Sequence, residues 1–185
     1  LGGTPAAMSA DIALNAGNGS VSFQSATSNL LTVAGKTGIV SSGTIRTRQS
    51  LVLETADADA NISINNANTT GAASNITVNS AGGSTIVSGT VAATGDYIVQ
   101  GGKGISLGGN SNVVQSAAGA VRITAATGDV AKAGSGTLVL NSDTNASGGD
   151  NLIISAVAGN IVLGSTDLAG GTSGAPVSSV SLTAN

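Results

Sequence analysis

Cysteine, histidine and tryptophan are absent from this 185-residue chain, and its aromatic residues reduce to Phe23 and Tyr97. Each absence removes a class of chemistry. Without Cys there are no disulfides and no thiolate nucleophiles or ligands. Without His there is no imidazole for zinc, copper or nucleophilic catalysis. Charge is scarce too, at 8% of residues. The basic residues are Lys36, Arg46, Arg48, Lys103, Arg122 and Lys132, and only Arg46 and Arg48 lie close together. A net charge of −3 and a pI near 4.4 speak against nucleic acid, which demands clustered Lys and Arg. No apolar run approaches the roughly 18 residues of a membrane-spanning helix, so none is expected. A core of ordinary construction would use several large aromatics, each removing much apolar surface from water. Here the interior must instead be assembled from many small aliphatic side chains.

Those aliphatics are plentiful and ordered. The hydrophobic fraction is 41%, too high for a solvated Gly/Ser linker even with 28 glycines present. Val, Ile and Leu return in one pattern: an apolar-x-apolar triplet, a polar residue or two and Ala, a short loop, Gly, then a new apolar residue. Residues 12–21 read IALNAGNGSV, 121–130 VRITAATGDV and 152–161 LIISAVAGNI, with Gly19, Gly128 and Gly159 in the same place. Looser copies are LTVAGKTGI at 31–39 and ITVNSAGGSTI at 76–86. A longer correspondence relates 62–78 to 138–154, each with two triplets around a polar insert.

Strand geometry explains the triplet. Side chains alternate faces with period two, so Ile12 and Leu14 share one side and Ala13 takes the other. The same holds for Val21/Phe23, Leu51/Leu53, Ile62/Ile64, Ile76/Val78, Ile105/Leu107, Val121/Ile123 and Leu138/Leu140. Strands this short are unstable alone but bury a continuous column when stacked on equivalents above and below. Corners would take Gly and Asn for their tolerance of positive φ. Helix is disfavoured by the lack of a 3.6-residue period and the wealth of Gly, Asn, Ser and Thr. A β-sandwich needs larger residues to fill the gap of about 10 Å between its sheets. The expected fold is therefore all-β: a parallel β-helix, or β-solenoid, of about nine coils of roughly 20 residues. The chain opens on LGGTP and stops on SLTAN within the pattern, so residues 1–185 read as a single segment of a longer repeat protein.

The segments IALNAGNGSVSF, NITVNSAGGSTI, VRITAATGDV and GNIVLGS resemble the repeat regions of filamentous-haemagglutinin-like large exoproteins and related giant bacterial surface proteins. SGTVAATGDYIVQGGKGISLGG at 88–109 is similar to a unit of the long β-strand-repeat proteins of that kind. The resemblance spans about 12–182. It implies a right-handed coil, export to the bacterial cell surface or beyond, and a stalk or adhesin role.

Candidate chemistry is thin. Glycoside cleavage on a β-helix wants two carboxylates roughly 5–9 Å apart, and only Glu54, Asp57 and Asp59 are local neighbours, in a loop that reads as solvated. The calcium nonapeptide is not matched: GGKGISLGG at 101–109 has Ser106 where Asp is required. The same segment lacks the GK[ST] ending of a phosphate loop. No Thr-x-Thr occurs, which weighs against an ice-binding face. The sequons at Asn18, Asn61, Asn68, Asn75 and Asn145 follow from composition, and interior Asn could stack as ladders. Arg46 and Arg48, on one side of an extended segment, read as a solvated pair protecting a sheet edge.

No catalytic, cofactor or metal residue is therefore assigned. The expected function is a non-enzymatic stalk or filament segment of an extracellular adhesin-like protein. Its partners would be neighbouring repeats or like subunits stacked end to end, together with host or microbial surface glycans. The rival is a polysaccharide-binding or polysaccharide-cleaving β-helix, which exposed aromatics or a carboxylate cluster on stacked coils would favour.

Overall fold

A computed structural model describes residues 10–108, 113–117, 119–142, 151–169 and 180–185. Among them there is no helix, and every strand pairing is parallel. The chain winds in coils. The first carries β1 (Ile12–Asn15), β2 (Ser20–Phe23) and β3 (Ala26–Ser28), the second β4 (Leu31–Gly35) and β5 (Gly38–Thr47), and the third β6 (Leu51–Thr55) and β7 (Asn61–Thr69). In the fourth come β8 (Ile76–Ser80), β9 (Thr85–Val87) and β10 (Val91–Ala93), and in the fifth β11 (Tyr97–Gly101), β12 (Ile105–Gly108) and β13 (Val113–Ser116). The sixth holds β14 (Val121–Ala125), β15 (Val130–Ala133) and β16 (Leu138–Asn141), and the seventh β17 (Leu152–Ala156), β18 (Ile161–Val162) and β19 (Thr166–Ala169). A further strand, β20 (Val180–Ala184), pairs with β17.

Pairing sorts these strands into three faces. The first is an eight-stranded sheet in the order β1-β4-β6-β8-β11-β14-β17-β20. The long strands β5 and β7 span the second and third faces as one ribbon, bending in β5 where the register shifts between Ser41 and Thr44. Beyond them the two faces separate, β9, β12, β15 and β18 continuing the second and β10, β13, β16 and β19 the third. The parallel β-solenoid is as expected, but its coil count is not nine. Seven steps separate the eight strands of the first sheet among the described residues. The step is 19 residues from Ile12 to Leu31, 25 from Leu51 to Ile76 and 31 from Val121 to Leu152. A three-faced coil with loops of unequal length outruns the expected 20 residues.

Inward positions form columns. Leu31, Leu51, Ile76, Tyr97, Val121 and Leu152 stack in register on the first face, and Val33, Leu53, Val78, Val99, Ile123 and Ile154 stack beside them. All twelve are fully buried. Each such side chain is stabilising by about 1.5–3 kcal/mol relative to exposure, so repetition replaces the large aromatic core. All five copies of the sequence motif occupy one structural place: first face, first corner, start of the second face. The longer correspondence between 62–78 and 138–154 does not survive, because Ile62 lies on the second face and Leu138 on the third. Two inward triplets around a polar loop recur wherever the chain turns a corner.

The corners work differently from expectation. Positive φ is rare: Gly17 (60°), Gly134 (80°), Gly164 (57°) and Ala73 (51°) are the left-handed residues among those described, apart from Gly38 at 158°. Two of the three motif glycines, Gly128 and Gly159, serve close approach instead, whereas Gly19 has room for a Cβ. A Cβ on Gly128 would strike the Lys103 carbonyl one coil away, and a Cβ on Gly159 would strike that of Gly128. Asn does not contribute by backbone twist. Its side chain, like those of Asp and Ser at these corners, accepts the backbone N–H of the equivalent residue one coil on. At the corner before the first face Ser50 Oγ accepts from Asn75 N (3.1 Å), Asn75 Oδ1 from Asp96 N (2.8 Å) and Asp96 Oδ1 from Ala120 N (2.8 Å). Asn61 and Asp129 act likewise before the second face, on Ser84 and Asn160. Ser25 and Asn66 do so before the third, on Thr44 and Thr90. Backbone N–H groups that leave the strand ladder need another partner, and at these corners the residue just ahead of the triplet supplies it. Interior Asn stacks are not what the described residues show; Asn61, Asn66 and Asn75 act instead as side-chain acceptors at corners.

Candidate functional site

Tyr97 lies wholly inside, in the first-face column between Ile76 and Val121. Its hydroxyl has no hydrogen-bond partner, and burial pushes its pKa well above the ordinary phenol range. It offers no surface for a sugar ring. Phe23, half-buried against the core in the first coil, offers little more.

The acidic group is drawn apart rather than gathered. Glu54 projects outward from β6, between Ala34 and Asn79 in neighbouring strands, while Asp57 and Asp59 sit in the corner that follows. Asp59 forms an ion pair with Lys103, two coils further along. Lys103 reaches it across the intervening corner, which is Ala81-Gly82-Gly83 and puts nothing bulky in the way. The hydrogen bond from Lys103, and then its charge, lower the Asp59 pKa below the ordinary carboxylate value. Both side chains are exposed, so the pair contributes little to stability. A second pair, Arg122 to Asp96 at 3.8 Å, bridges adjacent coils on the first face. Among the described residues no group of three His, Cys, Asp or Glu could hold a metal ion.

The described part of the Gly-rich segment, residues 101–108, is a corner and the strand after it. Gly101 ends β11, Gly102 to Gly104 turn, and β12 follows, so a strand stands where a phosphate loop would need a helix. A Cβ on Gly102 would collide with the Ala81 carbonyl, which explains the glycine by coil spacing. Of the sequons, Asn61 and Asn75 spend their side-chain oxygens on corner hydrogen bonds, Asn18 is exposed in the first corner and Asn68 lies outward on the third face. Asn145 lies outside the described residues.

The arginine pair is not at an edge. Strand β5 is flanked by β2 and β3 on one side and β7 on the other, so Arg46 and Arg48 shield no open ladder. Arg46 is instead an outward residue in mid-sheet, in register with Thr27 and Asn68. Beside it lies a hollow of about 230 Å³ lined by Thr44, Arg46, Asn66, Ala67, Asn68, Thr90 and Ala92. Asn66 escaped notice in the sequence, and Asn68 stood out only as a sequon. Bringing them beside Arg46 depends on the register between coils, for which no constant spacing exists in the chain.

The three faces also differ outside. The outward column of the second face runs Ser22, Val40, Ser63, Ile86, Ser106, Ala131 and Val162 without a charge, and Val40, Ile86 and Val162 are exposed. In comparisons with protein-family models, curated proteins and solved structures, no match was found.

Proposed function

We propose that this chain is a length-giving, non-catalytic segment of an extracellular or cell-surface repeat protein, with neighbouring solenoid repeats or like subunits stacked end to end. The observation that carries this reading is the self-similarity of the coils. Successive described coils repeat the same two aliphatic columns on the first face, and at many corners the same kind of side-chain acceptor meets the next coil's N–H, so one coil is a template for another. β20 carries the first-face columns one coil further, with Val180 and Leu182 in register with Leu152 and Ile154. The segments resembling exoprotein repeats support a bacterial surface setting. The rival polysaccharide-cleaving reading has less to draw on, since Tyr97 is buried and Asp59 is engaged by Lys103.

Negative-stain electron microscopy of the purified chain tests the proposal. Thin fibres of one solenoid's width, lengthening with concentration, are expected. Short monodisperse particles that release reducing sugar from polysaccharide would overturn it.

A further inference from the structure

We propose that the hollow beside Arg46 on the third face is a binding site for the carboxylate of an acidic sugar unit. The argument starts from which polar atoms face it. Arg46 is exposed and has no ion pair among the described residues, whose pairs are Lys103–Asp59 and Arg122–Asp96. No Asp or Glu lines the hollow. Asn66 Oδ1 is taken by the Thr90 backbone N–H at 2.9 Å, which leaves its amide N–H₂ outward. Asn68 Oδ1 is buried without a donor, so that side chain also presents its N–H₂ end. Both asparagines thus turn donors toward the space beside Arg46, and Thr44 and Thr90 flank them. Ala92, in register with Asn68 where a longer side chain would fill the gap, keeps the hollow open.

The result is a patch of N–H and hydroxyl donors around one planar cation, with no carboxylate to compete. The guanidinium fork matches a carboxylate in two parallel hydrogen bonds. Amide and hydroxyl groups suit the ring and hydroxyl oxygens next to it. A volume of about 230 Å³ is smaller than a typical small-molecule pocket of roughly 300–1,000 Å³. It fits one sugar unit lying on the surface, with the rest of an oligomer running along the face. Exposure makes a single contact of this kind weak, so affinity in the millimolar range is expected. The site stands independently of end-to-end assembly, and its test reads binding rather than fibre formation.

The test is a ¹H–¹⁵N NMR titration with trigalacturonate, its neutral methyl ester, and acetate as the free carboxylate. With trigalacturonate, shifts confined to the amides of Thr44–Thr47 and Asn66–Thr69 are expected. Arg46→Gln should weaken binding about tenfold, Asn68→Ala should weaken it less, and Arg48→Gln should leave it unchanged. The spectrum of each variant reports its fold directly. Equal shifts from the methyl ester would overturn the proposal, as would equal loss in Arg48→Gln or no shifts at all. Acetate shifting the same amides equally well would show an adventitious ion only, and would overturn it too.

Discussion

The first and second faces differ in length and in what their inward positions hold: most first-face strands bury three residues each, and a second-face strand such as β9 buries two. On the first face the two columns from Leu31 and Val33 to Leu152 and Ile154 are uninterrupted hydrocarbon, save the Tyr97 hydroxyl. On the second face the register Phe23, Ser41, Ile64, Val87, Leu107, Lys132 admits a serine and a lysine, and the parallel column Ile39, Ile62, Thr85, Ile105, Val130 admits a threonine. Each of these polar groups reaches a backbone carbonyl. Thr85 Oγ1 donates to Gln100 O (3.0 Å), Ser41 Oγ to Gln24 O (3.4 Å) and Lys132 Nζ to Gly134 O (2.8 Å). The second-face strands are short and lie against corners, where carbonyls are not all consumed by ladders. The first-face strands, mostly five residues long, hold these two columns away from such acceptors. Where the last inward position of β6 and β8 meets the corner it too is polar, and Thr55 and Ser80 donate to the Ala60 carbonyl at 3.1 and 2.7 Å. The teaching is local: an interior polar residue is tolerated where a corner carbonyl lies within reach.

The largest effect should come from opening the hydrocarbon column itself. Leu53→Ala, between Val33 and Val78, should destabilise the fold by about 2–5 kcal/mol in urea unfolding, because neighbouring strands cannot collapse into the gap. A swap of opposite sense probes the comparison directly. Val99→Thr adds a hydroxyl between Val78 and Ile123 and should cost about 1–3 kcal/mol. Thr85→Val removes one that is already bonded and should change stability by about 1 kcal/mol or less. Equal costs for the two would break the distinction between the faces. The smallest effect belongs to the surface. Asp59 has its pKa depressed below 3.8 by Lys103. Its contribution is therefore present above that value and lost as pH falls through the lower folded one. A carboxyl NMR titration should show the depression, and Lys103→Ala should restore the ordinary value without a measurable change in unfolding.

How much of this could be read from residues alone follows from the same contrast. The first face is legible because its strands carry clean triplets, and the five motif copies point to one structural place. The third face is nearly silent. Ala26–Ser28 and Val91–Ala93 offer one sizeable apolar residue between them, and the interior there is filled by small residues beside buried Ser28, Thr47 and Thr69. Coil number was misjudged for a related reason, since loop length between faces leaves no periodic trace. The role of Asn at corners was hidden because composition alone cannot separate a twisted backbone from a side-chain acceptor. The hollow beside Arg46 needed inter-coil register, which brings Arg46 and Asn68 together although 22 residues separate them.

The corner acceptors also give the molecule a direction. In each of those columns the oxygen belongs to the earlier coil and the N–H to the later one, from Ser25 and Thr44 through to Asp129 and Asn160. A coil boundary therefore has a socket side, where side-chain oxygens wait, and a plug side, where backbone donors project. At these corners, two like sides brought together would leave the side-chain oxygens or the backbone N–H groups without partners. Under the end-to-end assembly proposed above, head-to-tail joints are the ones that satisfy these corner groups, and the two tips of such a fibre would be chemically distinct.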